Sequence, residues 1–206
     1  MRQPLTITHY CIKTSEFQQA CTMGRAMARW VDIGAGRQAL AFVVYGATNA
    51  VMDHRAAEVT NAVLAAVQTE AALHVNTLIM IGGDFNCTPA QLTDTGWLNK
   101  VGGVVHYPTD ATTDKGKTYD YFVTSISMSP LVETVRIIGG HKCTPRYAVR
   151  MTLKGNCRKV SSNPRRLVCR LIRCAREDNF APTHFNVGLC GYPPKCVTKD
   201  ESTEAR

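Results

Sequence analysis

The chain has 206 residues, of which 45% are hydrophobic, and a formal net charge of +8. This length suffices for one domain with a buried core, and no apolar run approaches the ~18 residues that a membrane span requires. The first residues lack the apolar stretch of a secretory signal, and nine scattered cysteines fit reduced thiols better than a disulfide framework. These features predict an intracellular protein, nuclear or cytoplasmic, with no membrane partner.

The positive charge is concentrated towards the carboxyl end. Residues 1–153 contain 13 Lys or Arg and 11 Asp or Glu, whereas residues 154–206 contain 11 and 5. Between residues 154 and 176 there are eight Lys or Arg and no acidic residue, a composition that attracts phosphate backbones. DNA or RNA is therefore a candidate partner of this segment, and a solvated, flexible tail without a ligand is the alternative.

The first reliable element of the chain is a strand at residues 39–45. Residues 1–38 show no clear hydrophobic period and stay unassigned, although the stretch 18–31, QQACTMGRAMARWV, is compatible with a short helix. Residues 39–45, ALAFVVY, form an uninterrupted apolar run rich in β-branched and aromatic side chains, which Gly46 ends. Such a run predicts a strand that is buried on both faces.

A long helix is predicted over residues 52–74, which are rich in alanine. Four apolar residues are spaced four apart there, namely Val59, Val63, Val67 and Ala71. This spacing places them on one face of a helix, and Asp53 is a suitable N-cap. The helix is therefore expected to pack on a sheet.

Strands return after polar turns at residues 88–94 and a stretch at 96–117 whose glycines, prolines and Thr-Asp pairs predict a loop or short elements. They are predicted at residues 119–124, 131–138 and 146–153. The last of these alternates apolar and polar residues, which predicts one buried and one polar face. Helices and strands are thus mixed over residues 39–153, which indicates an α/β (α+β) domain of layered sheets covered by helices, followed by a basic tail at 154–206.

A buried strand at residues 77–83 ends in two glycines and is followed directly by Asp84 and Asn86. Glycines leave room for another backbone or a ligand, and α/β proteins place their sites at strand ends. A carboxylate is the usual ligand of a hard divalent cation, and an amide can donate to a phosphoryl oxygen. Because Phe85 points to the opposite side, both polar side chains are expected to face one point. The alternative is that they only open a turn.

Three motifs in this region resemble those of the endonuclease/exonuclease/phosphatase superfamily. GGDFNCTP at 82–89 resembles its Gly-Asp-Phe-Asn motif, FVVYGATN at 42–49 its strand-Tyr-Gly motif, and KTYDYFVTS at 117–125 its Ile-Asp-Tyr-x-x-x-Ser motif. They occur in the family's order, over the part that corresponds to the second half of such a domain. The resemblance implies a partial four-layer α/β/β/α sandwich with two mixed β-sheets. It also implies Mg²⁺-dependent hydrolysis of phosphoesters in DNA, RNA, or phosphorylated and lipid substrates.

The resemblance also implies roles for individual residues. Asp84 would bind the metal and orient the attacking water, and Asn86 and Tyr45 would contact the scissile phosphate. Asp120 would hold the catalytic histidine in one tautomer or help to neutralise the site. Tyr45 could instead be a core aromatic residue, and Asp120 could pair with a neighbouring cation.

The catalytic histidine has two candidate positions in GGHKCTPRYAVRMTL at 139–153. If the alternating strand sets the register, Arg146 stands at that position. A guanidinium cannot act as a general base at neutral pH, although it can bind a phosphate. In the other register His141 is the catalytic residue, with Gly140 in place of the family's aspartate.

The metal-binding glutamate of the family has no counterpart before residue 39. Glu16 is not preceded by the apolar strand that should carry it. Mg²⁺ would then depend mainly on Asp84 and water, which predicts weak binding. The chain is accordingly interpreted as a degenerate copy of the domain, truncated at its amino end.

A zinc site in the tail would need irregularly spaced ligands: Cys157, Cys169, Cys174, Cys190 and Cys196, with His184 nearby. No CxxC pair occurs among them, so separate thiols are expected. Two functions stay open for the chain. One is a Mg²⁺-dependent nuclease, and a retroelement-type endonuclease followed by a basic segment would suit the tail. The other is a non-catalytic remnant that at most binds nucleic acid through residues 154–176.

Overall fold

The computed structural model describes residues 7–34, 36–143 and 146–154, and only the backbone of residues 139–143. The elements, in chain order, are β1 (Ile7–His9), α1 (Ser15–Thr22), β2 (Ala26–Gly34), β3 (Arg37–Tyr45), α2 (His54–Ala72), β4 (Leu78–Asp84), α3 (Pro89–Asp94), α4 (Trp97–Val101), β5 (Gly103–His106), β6 (Asp120–Ser125), β7 (Val132–Cys143) and β8 (Arg146–Leu153). A 3₁₀ turn at Ser129–Leu131 precedes β7. No helix in these residues is long and apolar enough to span a membrane.

Six strands form one sheet in the order β1-β2-β3-β4-β6-β5, and β7 and β8 form a second sheet. Only β3 and β4 pair in parallel; the other neighbours in the large sheet are antiparallel. The predicted α/β class with layered sheets is confirmed. In the described residues the second sheet is antiparallel and two-stranded instead of mixed.

The predicted strand at residues 39–45 is confirmed as part of β3, which lies between β2 and β4. Its residues 39–44 are all buried. Leu40, Phe42 and Val44 belong to the core shared with α1 and α2. Because side chains alternate along a strand, the intervening residues face the other side of the sheet, where β8 lies. Burial on both faces explains why this segment is apolar throughout.

The predicted long helix is confirmed as α2, and Asp53 is its N-cap, accepting a hydrogen bond from the Arg55 amide at 3.0 Å. Val63, Val67 and Ala71 are buried as expected, whereas Val59 is 37% exposed. Thr60, one residue further along, is buried at this end of α2 instead, because a strict four-residue spacing drifts away from the 3.6-residue helical period.

The segment 1–38, unassigned from sequence, contributes β1, α1 and β2 to the domain. The compatible helix at 18–31 is correct only as far as Thr22. Gly24 follows with φ +67°, a left-handed conformation that ends a helix. From Ala26 the chain pairs with β3, so the apolar side chains of this stretch pack on a sheet.

Two further expectations are corrected. Residues 88–94 contain a helix, α3, whose N-terminus carries a capping box between Thr88 and Gln91. In β8, Ala148 is only 1% exposed, whereas the apolar residues beside it are half-buried. The face of β8 that was expected to be polar therefore turns towards the six-stranded sheet, and it carries Arg146 inwards.

Candidate active site

Asp84 ends β4 at a point where neighbouring backbones come unusually close. Gly83 has φ +149°, and a Cβ there would lie 2.0 Å from the Val44 carbonyl oxygen. A Cβ on Gly82 would lie 2.8 Å from the ring of Phe122. The paired glycines therefore make room for adjacent strands. The carboxylate that follows them is 3% exposed.

Asn86 is held in one orientation by two hydrogen bonds. It adopts φ +50°, its amide N–H donates to Asp84 Oδ1 at 2.9 Å, and its Nδ2 donates to the Gly46 carbonyl at 2.8 Å. The intervening Phe85 points into the core and stacks on Tyr121 with ring centroids 4.3 Å apart. The expectation that Asp84 and Asn86 face the same side, opposite Phe85, is confirmed.

Asp120 lies directly opposite Asp84 in the register between β4 and β6. Its backbone amide donates to Thr112 Oγ1 at 3.1 Å, and so does that of Tyr119, at 2.9 Å. Thr112 is fully buried and anchors the loop before β6, a role that its position in a Thr-rich stretch did not reveal. Asp120 Oδ1 is buried without a hydrogen-bond donor.

The side chain of Arg146 joins these residues. Its Nη2 donates to Asp84 Oδ2 at 2.5 Å and to Asn86 Oδ1 at 3.0 Å, and its Nη1 donates to Asp120 Oδ2 at 3.1 Å. The guanidinium carbon lies 5.3 Å from the centroid of the Tyr119 ring, and the side chain is 11% exposed. One buried cation thus connects both carboxylates and the amide. For Asp120 this confirms the alternative prediction, namely that it pairs with a neighbouring cation.

The remaining predicted site residues are placed as follows. Tyr45 ends β3 opposite Asp84, and its ring lies 5.0 Å from the guanidinium carbon of Arg25. Glu16 is exposed on α1, where it accepts a hydrogen bond from the Ser15 hydroxyl at 3.1 Å. His141 lies in β7, but its side chain is outside the described residues. The basic segment and the cysteines beyond Lys154 also lie outside them and stay predictions.

The described residues do not fit a divalent cation. They include no group of three or more His, Cys, Asp or Glu that could hold a metal ion. Asp84, the predicted ligand, already carries the guanidinium of Arg146. A second positive charge beside Arg146 would be repelled, and Mg²⁺ requires several oxygen ligands in near-octahedral geometry.

Burial raises the pKa of Asp84 to about 6 and that of Asp120 to about 7, although Arg146 acts in the opposite direction on both. One guanidinium cannot fully offset the cost of burying two carboxylates.

We expect the free energy of unfolding to fall as the pH rises from about 4 to 7, because the folded state holds protons that the unfolded state has released. The slope for one such proton is at most about 1.4 kcal/mol per pH unit. Urea unfolding at several pH values measures it. Asp120→Asn should flatten the slope and the exposed Asp110→Asn should not; equal slopes in all three proteins would contradict the assignment.

No protein-family model and no curated protein matches the chain. Among solved structures, it resembles the endonuclease domain of TRAS1, a telomere-specific non-LTR retrotransposon, with 11% identity, 73% of this chain and 69% of that chain covered, and a TM-score of 0.52. It also resembles the beta toxin of Staphylococcus aureus, with 9% identity, coverage of 63% and 57%, and a TM-score of 0.50. The chain thus spans less than two thirds of the toxin.

A variant of the same toxin with bound magnesium ions matches with 12% identity, coverage of 62% and 53%, and a TM-score of 0.46. The structural neighbours have the endonuclease/exonuclease/phosphatase fold. The six-stranded and two-stranded sheets with their helices are consistent with that α/β sandwich. At these identities the likeness shows the fold alone.

Proposed function

We propose that this chain, with its endonuclease/exonuclease/phosphatase-type fold, is a nucleic-acid-binding domain whose hydrolytic centre is closed by Arg146. The observation that carries the proposal is the set of hydrogen bonds from one guanidinium to Asp84, Asn86 and Asp120. These are the side chains that a hydrolase of this fold would need free for its metal ion, its phosphate and its base.

Hydrolysis is disfavoured by the acid–base chemistry of this arrangement. A guanidinium stays protonated at neutral pH and cannot accept a proton from water. Among the described histidine side chains, none contacts Asp84 or Asp120: His106 bonds to Thr124 and His74 to Tyr10. The described site therefore contains no histidine that could serve as the general base.

Nucleic acid is the proposed ligand because of the distribution of charge. Residues 154–176 contain eight Lys or Arg and no acid, which favours a polyanion through the release of counterions. A role in nucleic-acid binding also agrees with the fold shared with the TRAS1 endonuclease domain. Phosphate binding by Asn86 and Arg146 stays a prediction.

The second candidate function is Mg²⁺-dependent hydrolysis of nucleic-acid phosphodiesters. The arrangement of Asp84, Asn86 and Asp120 at the adjoining ends of β4 and β6, with Tyr45 beside them, favours it. In that case His141 would supply the base, and Arg146 would have to leave Asp84 so that a metal ion could bind.

A nuclease and binding assay distinguishes the two candidates. Folded protein is incubated with supercoiled plasmid in Mg²⁺, beside Asp84→Ala and a reaction with chelator, and its binding to labelled DNA and RNA is titrated at several salt concentrations. We expect no cleavage and salt-sensitive binding. Cleavage that both controls abolish would establish the hydrolase, and its loss in His141→Ala would identify the base. Absence of both activities would reject both candidates.

A further inference from the structure

Arg25 lies beside the site but was not predicted from the sequence. It directly precedes β2, and its backbone is fixed by hydrogen bonds from its amide to the Ala20 carbonyl and from the Tyr45 amide to its own carbonyl, both 2.9 Å. Its guanidinium lies 5.0 Å from the centroid of the Tyr45 ring, and Nη1 donates to the Gly46 carbonyl at 3.2 Å. The backbone and the aromatic face thus hold the cation in place.

The Gly46 carbonyl connects Arg25 to the site. The same oxygen accepts the hydrogen bond from Asn86 Nδ2 at 2.8 Å, and Asn86 Oδ1 accepts from Arg146 at 3.0 Å. The two guanidinium groups are therefore linked through the Asn86 side chain and the Gly46 carbonyl. Gly46 is required there, because a Cβ would lie 2.4 Å from the Phe85 carbonyl oxygen.

The two arginines differ in charge balance. Arg146 is paired with two carboxylates, so that its surroundings carry a net negative charge whenever both are ionised. Arg25 forms no ion pair with a described carboxylate and is only partly buried. An anion that approaches this edge of the sheet is therefore attracted to Arg25 and repelled by the carboxylates around Arg146.

We propose that Arg25, stacked on Tyr45, binds a phosphate group of the nucleic-acid backbone at the rim of the Asp84–Asn86 site. A planar guanidinium offers paired donors that match phosphate oxygens, and one of its donors is already oriented by the Gly46 carbonyl. The inference rests on the proposed function for its ligand, a nucleic acid, but assigns the contact to a residue of the folded domain and not to the basic tail.

The test compares Arg25→Ala with Arg37→Ala in the full chain. Arg37 is exposed at the start of β3, and Tyr45, the residue that Arg25 contacts, lies at the other end of that strand. Arg37→Ala therefore removes the same charge as Arg25→Ala, but at the opposite end of the strand. Binding of a fluorescent single-stranded oligonucleotide is measured by anisotropy between low and physiological salt. Arg25→Ala should weaken binding about five- to tenfold and reduce the slope of log affinity against log salt by about 0.7. Arg37→Ala should change neither quantity.

Two further measurements distinguish a failure of the proposed nucleic-acid binding from a failure of the Arg25 phosphate site. Arg25→Lys should retain the salt slope and lose part of the affinity, because it keeps the charge without the planar fork. If the wild type does not bind the oligonucleotide, the proposed function fails. Thermal unfolding with inorganic phosphate then tests Arg25 as an anion site independently of nucleic acid. If phosphate stabilises the wild type but not Arg25→Ala, Arg25 binds an anion, and its ligand is a phosphorylated molecule other than nucleic acid. Equal behaviour of Arg25→Ala and Arg37→Ala with both probes would overturn the inference.

Discussion

Replacing Arg146 by alanine is expected to destabilise the protein by about 3–5 kcal/mol at pH 8, the cost of removing one partner from a buried ion-paired cluster. Asp84 and Asp120 face each other across β4 and β6 and are each 3% exposed. Without the guanidinium, the two buried carboxyl groups would adjoin each other with no cation between them, and each would have to stay charged in a buried site or take up a proton at pH 8. Urea unfolding followed by circular dichroism measures the change, and the exposed Arg136→Ala on β7 is the matched control.

The same replacement is expected to create a site for divalent cations. Arg146 occupies the carboxylate oxygens that a cation would use, so its removal leaves Asp84, Asp120 and the Asn86 amide oxygen unoccupied. Millimolar Mn²⁺ or Mg²⁺ should raise the Tm of Arg146→Ala by several degrees and leave the wild type unchanged. The double variant Asp84→Asn/Arg146→Ala should regain stability and lose the response. A wild type that responds as strongly as Arg146→Ala would show that the guanidinium does not exclude the metal.

Glu70→Ala is expected to destabilise the protein by about 3–5 kcal/mol, because four donors, one buried and three part-buried, would lose their acceptor. The Glu70 carboxylate is fully buried on α2. It accepts hydrogen bonds from Tyr10 Oη at 2.5 Å, the Lys13 amide at 2.7 Å, and the Thr14 amide and hydroxyl at 2.8 and 2.5 Å. It thus ties the start of α1 to α2. Glu58→Ala, on the exposed face of the same helix, is the control.

Amide hydrogen exchange locates this effect. The Lys13 and Thr14 amides should lose protection in Glu70→Ala. Amides in β4 should lose only as much protection as the lower free energy of global unfolding of the variant requires.

Burial raises the pKa of Glu70, but the hydrogen bonds from Thr14, Tyr10 and the Lys13 amide outweigh it and leave that pKa below the ordinary 4.5. The contribution is therefore present above pH 4.5 and is lost as the pH falls through the folded-state pKa. A Glu70→Ala protein as stable as the Glu58→Ala control would refute the role of Glu70 in tying the start of α1 to α2.

The sequence predicted the elements whose signals are local. Residues 39–45 are apolar throughout because β3 is buried on both faces, and the four-residue spacing with Asp53 as N-cap identified α2. The alternation around Phe85 placed Asp84 and Asn86 on one side of β4. Glu70 is also marked in the sequence by its place next to Ala71 on the apolar face of α2, where an acid requires buried partners.

Only the tertiary structure decided how the polar groups are paired. Arg146 is separated from Asp84 by 62 residues and from Asp120 by 26, and a strand pattern does not specify which carboxylates a buried cation will meet. The sequence also suggested that the apolar face of β8 would be buried, but the packing turned Arg146 and Ala148 inwards. Backbone periodicity depends on near neighbours along the chain, whereas the partners of Arg146, Glu70 and Arg25 depend on which strands and helices the complete fold brings together.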